Sequence, residues 1–554
     1  MNLLMPTRRE FTAGLGSIIV SFSLDPKLAF AQQAAKLPSS LAENRMLDAW
    51  IRINADGSAT IFPGKVELGQ GITTALTQIA AEELDLSFAR VRVLTTDTGR
   101  SPNEGVTAGS QSIEYGGTAL RLASAEVRAI LLDLAAKRLG VAADTLTVAD
   151  GTIGSADGRK VGYGELAAEV DLHREATAKV APKPPATHKI VGKSIPRFDI
   201  PNKVTGGVAY VQDMRLPGMV HGRIVRPPRP GSRLDSIDEA TARAMPGVIA
   251  VVRDGSFLGI VAEREEQVIG ARQALIKSAK WTLGPELPDP AKIYDVLLTL
   301  PAEDIVISDK QAPMPEGAKV IEATYRKPYM AHASIGPSCA LAEFKDGKMT
   351  VWTHSQGVFP LRNHLSLGLK LPVADIRCIH AEGSGCYGHN GADDVSLDAA
   401  LLARAVAPRP VRLQWMRDDE FGWEPYGPAM IMQAKAVRSR GERSSIGITS
   451  FGAILIRHGR PSRVATICSR VGISQRRRHR RRREPSLSRP AAATATRSRS
   501  TIFPASGSSI TSLGRCRCGP RRCALSAPRR PGHIKTGEAK PSGVARGTRE
   551  KLGS

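Results

Sequence analysis

The net charge of this chain is confined to one end, and that split limits what each part can fold into. The 554 residues carry 77 Lys+Arg and 53 Asp+Glu, a net +24. The stretch 437–554 holds 28 of the basic residues and 4 of the acidic ones, so residues 1–436 are neutral overall. The neutral part is rich in Ala, Val, Leu, Ile and Gly and is long enough for more than one hydrophobic core. The basic part has no Trp, Tyr or Asp, and 476–483 is a run of arginines interrupted by His479. Such a composition cannot bury enough apolar surface to offset the entropy of ordering its backbone. It predicts a disordered arginine-rich C-terminal tail over 437–554.

Other classes are excluded by composition. No run approaches the roughly 18 apolar residues of a membrane-spanning helix. The cysteines (339, 378 and 386 in the body; 468, 516, 518 and 523 in the tail) have no framework spacing, so disulfides do not organise the fold. Cys516, Cys518 and Cys523 lack a fourth ligand at zinc spacing, and no metal-ligating set is read. The first residues read as a processing signal. Thr7-Arg8-Arg9-Glu10-Phe11 is a twin-arginine pattern, a weakly apolar run covers 12–24, and Ala29-Phe30-Ala31 offers a cleavage site. Residues 1–31 are therefore expected to be a twin-arginine signal peptide directing the chain to the periplasm. The plainer alternative is a basic start followed by a short buried helix.

Periodicity divides the body. A hairpin is predicted across Ala55-Asp56-Gly57, a helix over 73–86, a strand over 91–94, and a long amphipathic helix over 117–139 stopped by Gly140. Asp150-Gly151 and Asp157-Gly158 mark further hairpins. The proline-containing stretch 179–187 reads as a linker. A separate α+β module follows over 188–281, with strands at 207–211, 219–225 and 249–253, an apolar run at 257–262 and a helix over 266–280. A third region, 320–432, again alternates strands (350–352, 376–380, 411–415) with a helix over 395–406.

Three glycine-rich loops stand ahead of these elements. Gly383-Ser384-Gly385-Cys386-Tyr387-Gly388 follows a predicted strand and matches G-x-G-x-x-G. It is not a dinucleotide fingerprint, because no helix opens inside it and no ribose-binding acid follows about twenty residues on. The glycines instead bring backbone N–H groups close to an acceptor. Gly69-Gln70-Gly71 lies at a helix start, where free N–H groups suit a polar ligand or phosphate; the plain alternative is a tight turn. Thr107 to Ser112 is a small-polar loop ahead of the long helix, and a helix cap would also explain it.

Together these motifs resemble a family. The run 65–71 (K-V-E-L-G-Q-G), the run 78–84 (Q-I-A-A-E-E-L) and the loop 107–112 are similar to the molybdopterin-binding large subunits of the xanthine dehydrogenase and aldehyde oxidase family. The stretches Val191-Gly192-Lys193, Arg197-Phe198-Asp199, 203–206 and 216–219 resemble its α/β hammerhead domain. Residues 332–337, 353–356 and the Gly383 loop resemble its first cofactor-binding segment. Arg409-Pro410-Val411, 415–420 and 424–430 resemble the branch containing isoquinoline 1-oxidoreductase and nicotinate dehydrogenase large subunits.

The resemblance implies an α+β multidomain fold, with molybdopterin-binding pieces at 45–178 and 318–436 around a hammerhead domain at 188–281. It implies a molybdenum hydroxylase acting on an N-heterocycle or aldehyde. Its cofactor would be molybdenum–molybdopterin, in the cytosine dinucleotide form. Electrons would pass to a small subunit holding [2Fe-2S] clusters and in some exported systems to a cytochrome c, whose company could also place the chain at a membrane. By position Gln356 would contact the molybdenum oxo ligand. Gly383, Gly385, Cys386, Tyr387 and Gly388 would hold the molybdenum end of the pterin. Gly69, Gln70, Gly71, Ser110 and Gln111 would line the pterin and dinucleotide portion.

The family's glutamate base sits in a G-x-G-E type motif near the C-terminus. No such motif occurs here, so no catalytic residue is assigned. The likeness ends near Ala436, where the basic stretch begins. A change of reading frame in G+C-rich DNA, or truncation, accounts for both. Two alternatives remain: nucleic-acid binding through the arginines, which lack interleaved aromatics and conflict with export, and a non-catalytic cofactor-binding remnant. No nucleic acid is expected as a partner.

Overall fold

The computed structural model describes residues 37, 39–300, 317, 319–390 and 394–438. It adds strand backbone at 302–306, 447–456, 463–470 and 476–483. The signal peptide expected at 1–31, and the part of the tail beyond 483, lie outside the described residues.

The Asp56-Gly57 turn folds β1 (Ile51–Ile53) back onto β2 (Ala59–Ile61), and Gly57 takes the left-handed φ of +75° that the turn requires. Helix α1 (Ile72–Leu84) then crosses to β3 (Val91–Val93), which pairs parallel with β2. Helix α2 (Thr118–Leu139) lies on α1 and stops where Gly140 adopts a left-handed conformation, as the sequence predicts. Leu76, Ala80 and Leu84 of α1 meet Leu120, Ala123, Val127 and Leu131 of α2 in one buried core with Trp50 and Ile61. The hairpins expected after residue 146 form a three-stranded sheet of Thr147–Ala149, Thr152–Gly154 and Lys160–Gly162.

The linker is held down by the Q-x-x-x-E-E residues of α1. Glu82 accepts the backbone N–H groups of Lys189, Ile190 and Val191, Glu83 accepts that of Lys183, and the Gln78 amide donates to the carbonyls of Ile190 and Lys193. Gln78 and Glu82, four apart, share one face of the helix, and Glu83 reaches the linker from the next position round.

The region read as a separate module does not close its own sheet. Its strands β4 (Val220–Ile224), β5 (Val248–Asp254) and β6 (Phe257–Ala262), with helix α3 (Glu265–Ser278), join β7 (Cys339–Lys345), β8 (Lys348–Thr353), β9 (Ile376–His380) and β10 (Val411–Gln414). The order is β9-β8-β7-β10-β4-β6-β5. The seam is the parallel pair β10–β4, Val411 opposite Val220. Helices α4 (Val358–Leu369) and α5 (Asp394–Ala405) pack with this sheet in one core containing Val220, Val351, Leu365, Leu402 and Trp415. Helix α6 (Arg417–Trp423) follows β10.

The strand expected at 207–211 is absent. Asp213 Oδ2 instead accepts the N–H groups of Ala209 and Tyr210 and winds the chain into the 3₁₀ turn Val211–Asp213. Beyond β10 a six-stranded sheet includes the pair Lys319–Lys327 with Met430–Arg438, and the backbone runs Gly447–Ile456, Arg463–Arg470 and Arg476–Arg483 continue it antiparallel. No helix among the described residues is long and apolar enough to cross a membrane.

Candidate cofactor site

Strand β9 ends at His380 and delivers the Gly383 loop to the edge of the large sheet. Gly385 and Gly388 take φ of +128° and +94°, and Tyr387 takes +53°, so the loop turns its peptide planes in alternation. The backbone N–H groups of Ser384 to Gly388 have no acceptor among the described residues, whereas the Ser384 carbonyl accepts from Gly336 and the Cys386 carbonyl from His389. A row of unanswered N–H groups on a positive-φ loop is an acceptor-binding concavity. The loop cannot move back: a Cβ on Gly383 would stand 2.7 Å from Cβ and Nδ1 of His354. Cys386 is buried, while Tyr387 is 58% exposed.

Gln356 lies just before α4, and its neighbours tie the two halves of the site together. Its Nε2 donates to the Thr107 carbonyl at 3.0 Å, its backbone carbonyl accepts from Thr107 N at 2.8 Å, and its backbone N–H donates to Asn390 O. Its Oε1 is buried with no hydrogen-bond partner. Thr107 Oγ1 in turn accepts from Val66 N, and the Val66 carbonyl accepts from the Gln70 amide. Gln70 and Gln356 are thus joined through Val66 and Thr107. His380 closes the joint from below, its Nε2 lying 2.8 Å from the Glu67 carbonyl. Burial holds the His354 and His380 imidazoles down at about 4, so both are neutral at physiological pH.

The Gly69 loop differs from its expected role. Its N–H groups are not free: Glu67 Oε1 accepts from Gly69 N (2.9 Å) and Gly71 N (2.8 Å), and Oε2 accepts from Thr73 N and Thr73 Oγ1. A carboxylate of the chain therefore occupies the helix N-terminus where the sequence suggests a ligand anion. The Gln70 side chain is likewise held locally, by Val66 O and Leu68 N. Glu67→Ala should lower the unfolding free energy by about 2 kcal/mol, because it strands four donors at the start of α1. Urea unfolding of the two proteins checks this, and equal midpoints would contradict the capping role.

The Gly69 and Gly383 loops are cross-linked by charge. Arg197 donates to the Gly69 carbonyl and pairs with Asp199; Lys203 donates to both Asp199 and Glu382, the residue before Gly383. Arg197 holds the Asp199 carboxyl far below its usual range, while burial raises that of Glu382 against the pull of Lys203. Ser110, at a φ of +62°, and Gln111 lie three and four residues beyond Thr107, at the start of the helix leading into α2; Ser110 is exposed. The structure thus gathers Gln356, Gly383 to Gly388 and Gly69 to Gly71, with Ser110 and Gln111 carried on the Thr107 loop. Sequence reasoning missed the roles of Glu67 and Lys203. The first lies inside a motif quoted whole, and the second acts across 179 residues.

Tested against a metal–pterin group, the Gly383 loop fits, since its N–H groups donate and have no acceptor among the described residues; the buried Oε1 of Gln356, also without a partner, only accepts and so would suit a donor of the group rather than its oxo ligand. The Gly69 amides do not fit, unless Glu67 swings away. The arrangement offers one donor-lined concavity, at the Gly383 loop, suited to an acceptor-rich group. Family models agree, in chain order: a molybdopterin cofactor-binding domain over 7–194, the aldehyde oxidase and xanthine dehydrogenase a/b hammerhead domain over 205–272, and a second molybdopterin cofactor-binding domain over 298–446. The chain belongs to the xanthine dehydrogenase and aldehyde oxidase family and carries its molybdopterin-binding domains.

Its relatives include a nicotinate dehydrogenase chain of Pseudomonas putida, 39% identical over 77% of this chain and 37% of that protein. The beta chain of isoquinoline 1-oxidoreductase of Brevundimonas diminuta is 27% identical over 78% of this chain and 62% of that protein. A membrane-bound aldehyde dehydrogenase [pyrroloquinoline-quinone] of Gluconacetobacter polyoxogenes is 27% identical over 71% of this chain and 53% of that protein. The chain thus spans less than two thirds of each.

Proposed function

We propose that this chain is the molybdenum-cofactor-binding large subunit of a hydroxylase that oxidises an N-heterocycle or an aldehyde. The observation that carries the reading is the row of unanswered N–H groups from Ser384 to Gly388 beside the buried, partnerless Oε1 of Gln356. When bound, the cofactor supplies two-electron oxidation of an electrophilic carbon with an oxygen derived from water. The chain's own residues bind and orient. The loop N–H groups donate to acceptors at the molybdenum end, Gln356 fixes the Thr107 loop against it, and the Lys203 bridge sets the spacing of the two glycine loops. The neutral His354 and His380 back the loop without adding charge. The buried Cys386 and the exposed Tyr387 of the loop would shape the substrate pocket.

The resemblance supports further parts of this proposal: the cytosine dinucleotide form of the cofactor, a [2Fe-2S] partner subunit with a cytochrome c beyond it, and a periplasmic location reached through the twin-arginine signal. The stretch after 436 is proposed to be read out of frame, so this chain lacks the glutamate base and is impaired. Dye reduction by the purified chain with nicotinate, isoquinoline, quinoline and aldehydes tests the reading. Bound molybdenum without turnover is expected; turnover by this chain alone would refute the impaired state. The coding DNA is a second check: a shifted frame past codon 436 should restore the glutamate motif.

A further inference from the structure

His389 follows the Gly383 loop directly, and its imidazole points away from that loop into a buried acidic pair. Glu420 in α6 and Glu424 at its end are four residues apart and share one helix face. His389 Nε2 lies 3.3 Å from Glu420 Oε1 and 4.0 Å from Glu424 Oε2. The three ligand atoms fall within 4.8 Å of one another, and none of the three residues is more than 3% exposed.

Each group is aimed from behind. Glu420 Oε2 accepts from Ser338 N, and Glu424 Oε1 accepts from His332 N and, at 3.4 Å, from Ala333 N. The Asn390 amide donates through Nδ2 to the His354 carbonyl, which turns its Oδ1 toward His389 Nδ1 at 3.1 Å. A carbonyl oxygen only accepts, so Nδ1 bears the hydrogen of this bond. Nε2 is thereby left facing two carboxylates, and Glu424 Oε2 is buried with no hydrogen-bond partner. Among the described residues, Arg417 is the cation that acts on Glu420, but its hydrogen bonds go elsewhere. Arg417 donates to the carbonyls of Ser334 and Ile335, and the His332 ring lies 5.8 Å from that of His389.

We propose that His389 Nε2, Glu420 Oε1 and Glu424 Oε2 bind one divalent transition-metal cation, distinct from molybdenum. One imidazole and two carboxylates form a ligand set suited to Zn²⁺, Mn²⁺ or Fe²⁺. The outer partners match what such sites need, the ring N–H on a carbonyl and each carboxylate anchored. Charge favours the metal over the rival, a proton on Nε2. An imidazolium beside two carboxylates leaves one buried negative charge, whereas a divalent cation with a neutral ring leaves none. A bound ion would lock α6 to the end of the Gly383 loop.

The test is titration of the purified, chelator-treated full chain with MnCl₂, following free Mn²⁺ by electron paramagnetic resonance. Manganese avoids the thiols at 468, 516, 518 and 523, which prefer zinc. One micromolar site is expected, with Mn²⁺ raising the thermal midpoint. Glu424→Gln keeps the shape and the Oε1 contact, and should weaken binding at least about tenfold, as should His389→Gln. Should either variant fail to fold, the other decides. Absence of binding by the wild type, or binding untouched by both variants, overturns the proposal and leaves the cluster to a proton.

Discussion

Replacing Arg272 by methionine should lower the unfolding free energy by about 3–5 kcal/mol, the usual cost of leaving a buried charge unpaired. Arg272 lies in α3, is 3% exposed, and donates to the Ile224 carbonyl and to Asp418 and Asp419 at the start of α6. It joins the hammerhead helix to the helix carrying Glu420. Burial already raises the Asp419 carboxyl above its usual range, and Arg272 is the first influence opposing that rise. Without Arg272 the folded-state pKa climbs further. The native state then holds the proton more tightly than the unfolded chain does. The variant's deficit relative to wild type should therefore be largest at alkaline pH and shrink as pH falls through the raised pKa. Adding Asp419→Asn should recover much of the loss. Urea unfolding of the single and double variants at pH 8 and pH 5.5 checks both statements. A deficit that grows on acidification would show that Asp419 is not the stranded group.

Gly383→Ala should be a strongly damaging single methyl in the cofactor segment. The added carbon would meet the buried side chain of His354 at 2.7 Å. Overpacking of this kind costs about 1–3 kcal/mol. The larger effect should fall on the loop, which must shift to relieve the clash. Molybdenum content is expected to drop at least about tenfold, since misplacing a positioned donor row removes several contacts at once. Gly388→Ala is the contrast: its nearest neighbour would be 4.0 Å away, so it reports the cost of a +94° φ alone. Equal molybdenum content in wild type and Gly383→Ala would mean that the loop does not hold the cofactor.

Local patterns in the sequence reach the elements that local forces decide. The 51–61 hairpin, α2 with its Gly140 stop, and the strands at 220–224, 248–254 and 376–380 are all legible from alternation, period and glycine. Helix α4 escapes that reading, because Pro360 stands within its first residues. There its missing N–H has no helical acceptor to lose and does no harm. The 207–211 strand fails because one carboxylate, Asp213, outcompetes an extended backbone. What stays hidden at the site is long-range. Nothing near Gln356 shows that its amide will meet a carbonyl 249 residues away, or that β4 will complete a sheet begun by β10. Glu67 is hidden differently: it caps α1 from five residues ahead of Ile72, by way of the glycines expected to await a ligand.

Whether Gln356 and the Gly383 loop hold a molybdenum–pterin group is read from the molybdenum and oxidised-pterin content of the full chain, produced with active cofactor synthesis, beside Gln356→Ala. The wild type should carry close to one equivalent of each and the variant at least about tenfold less. A wild type devoid of both molybdenum and pterin, or a variant loaded as fully as the wild type, would contradict it.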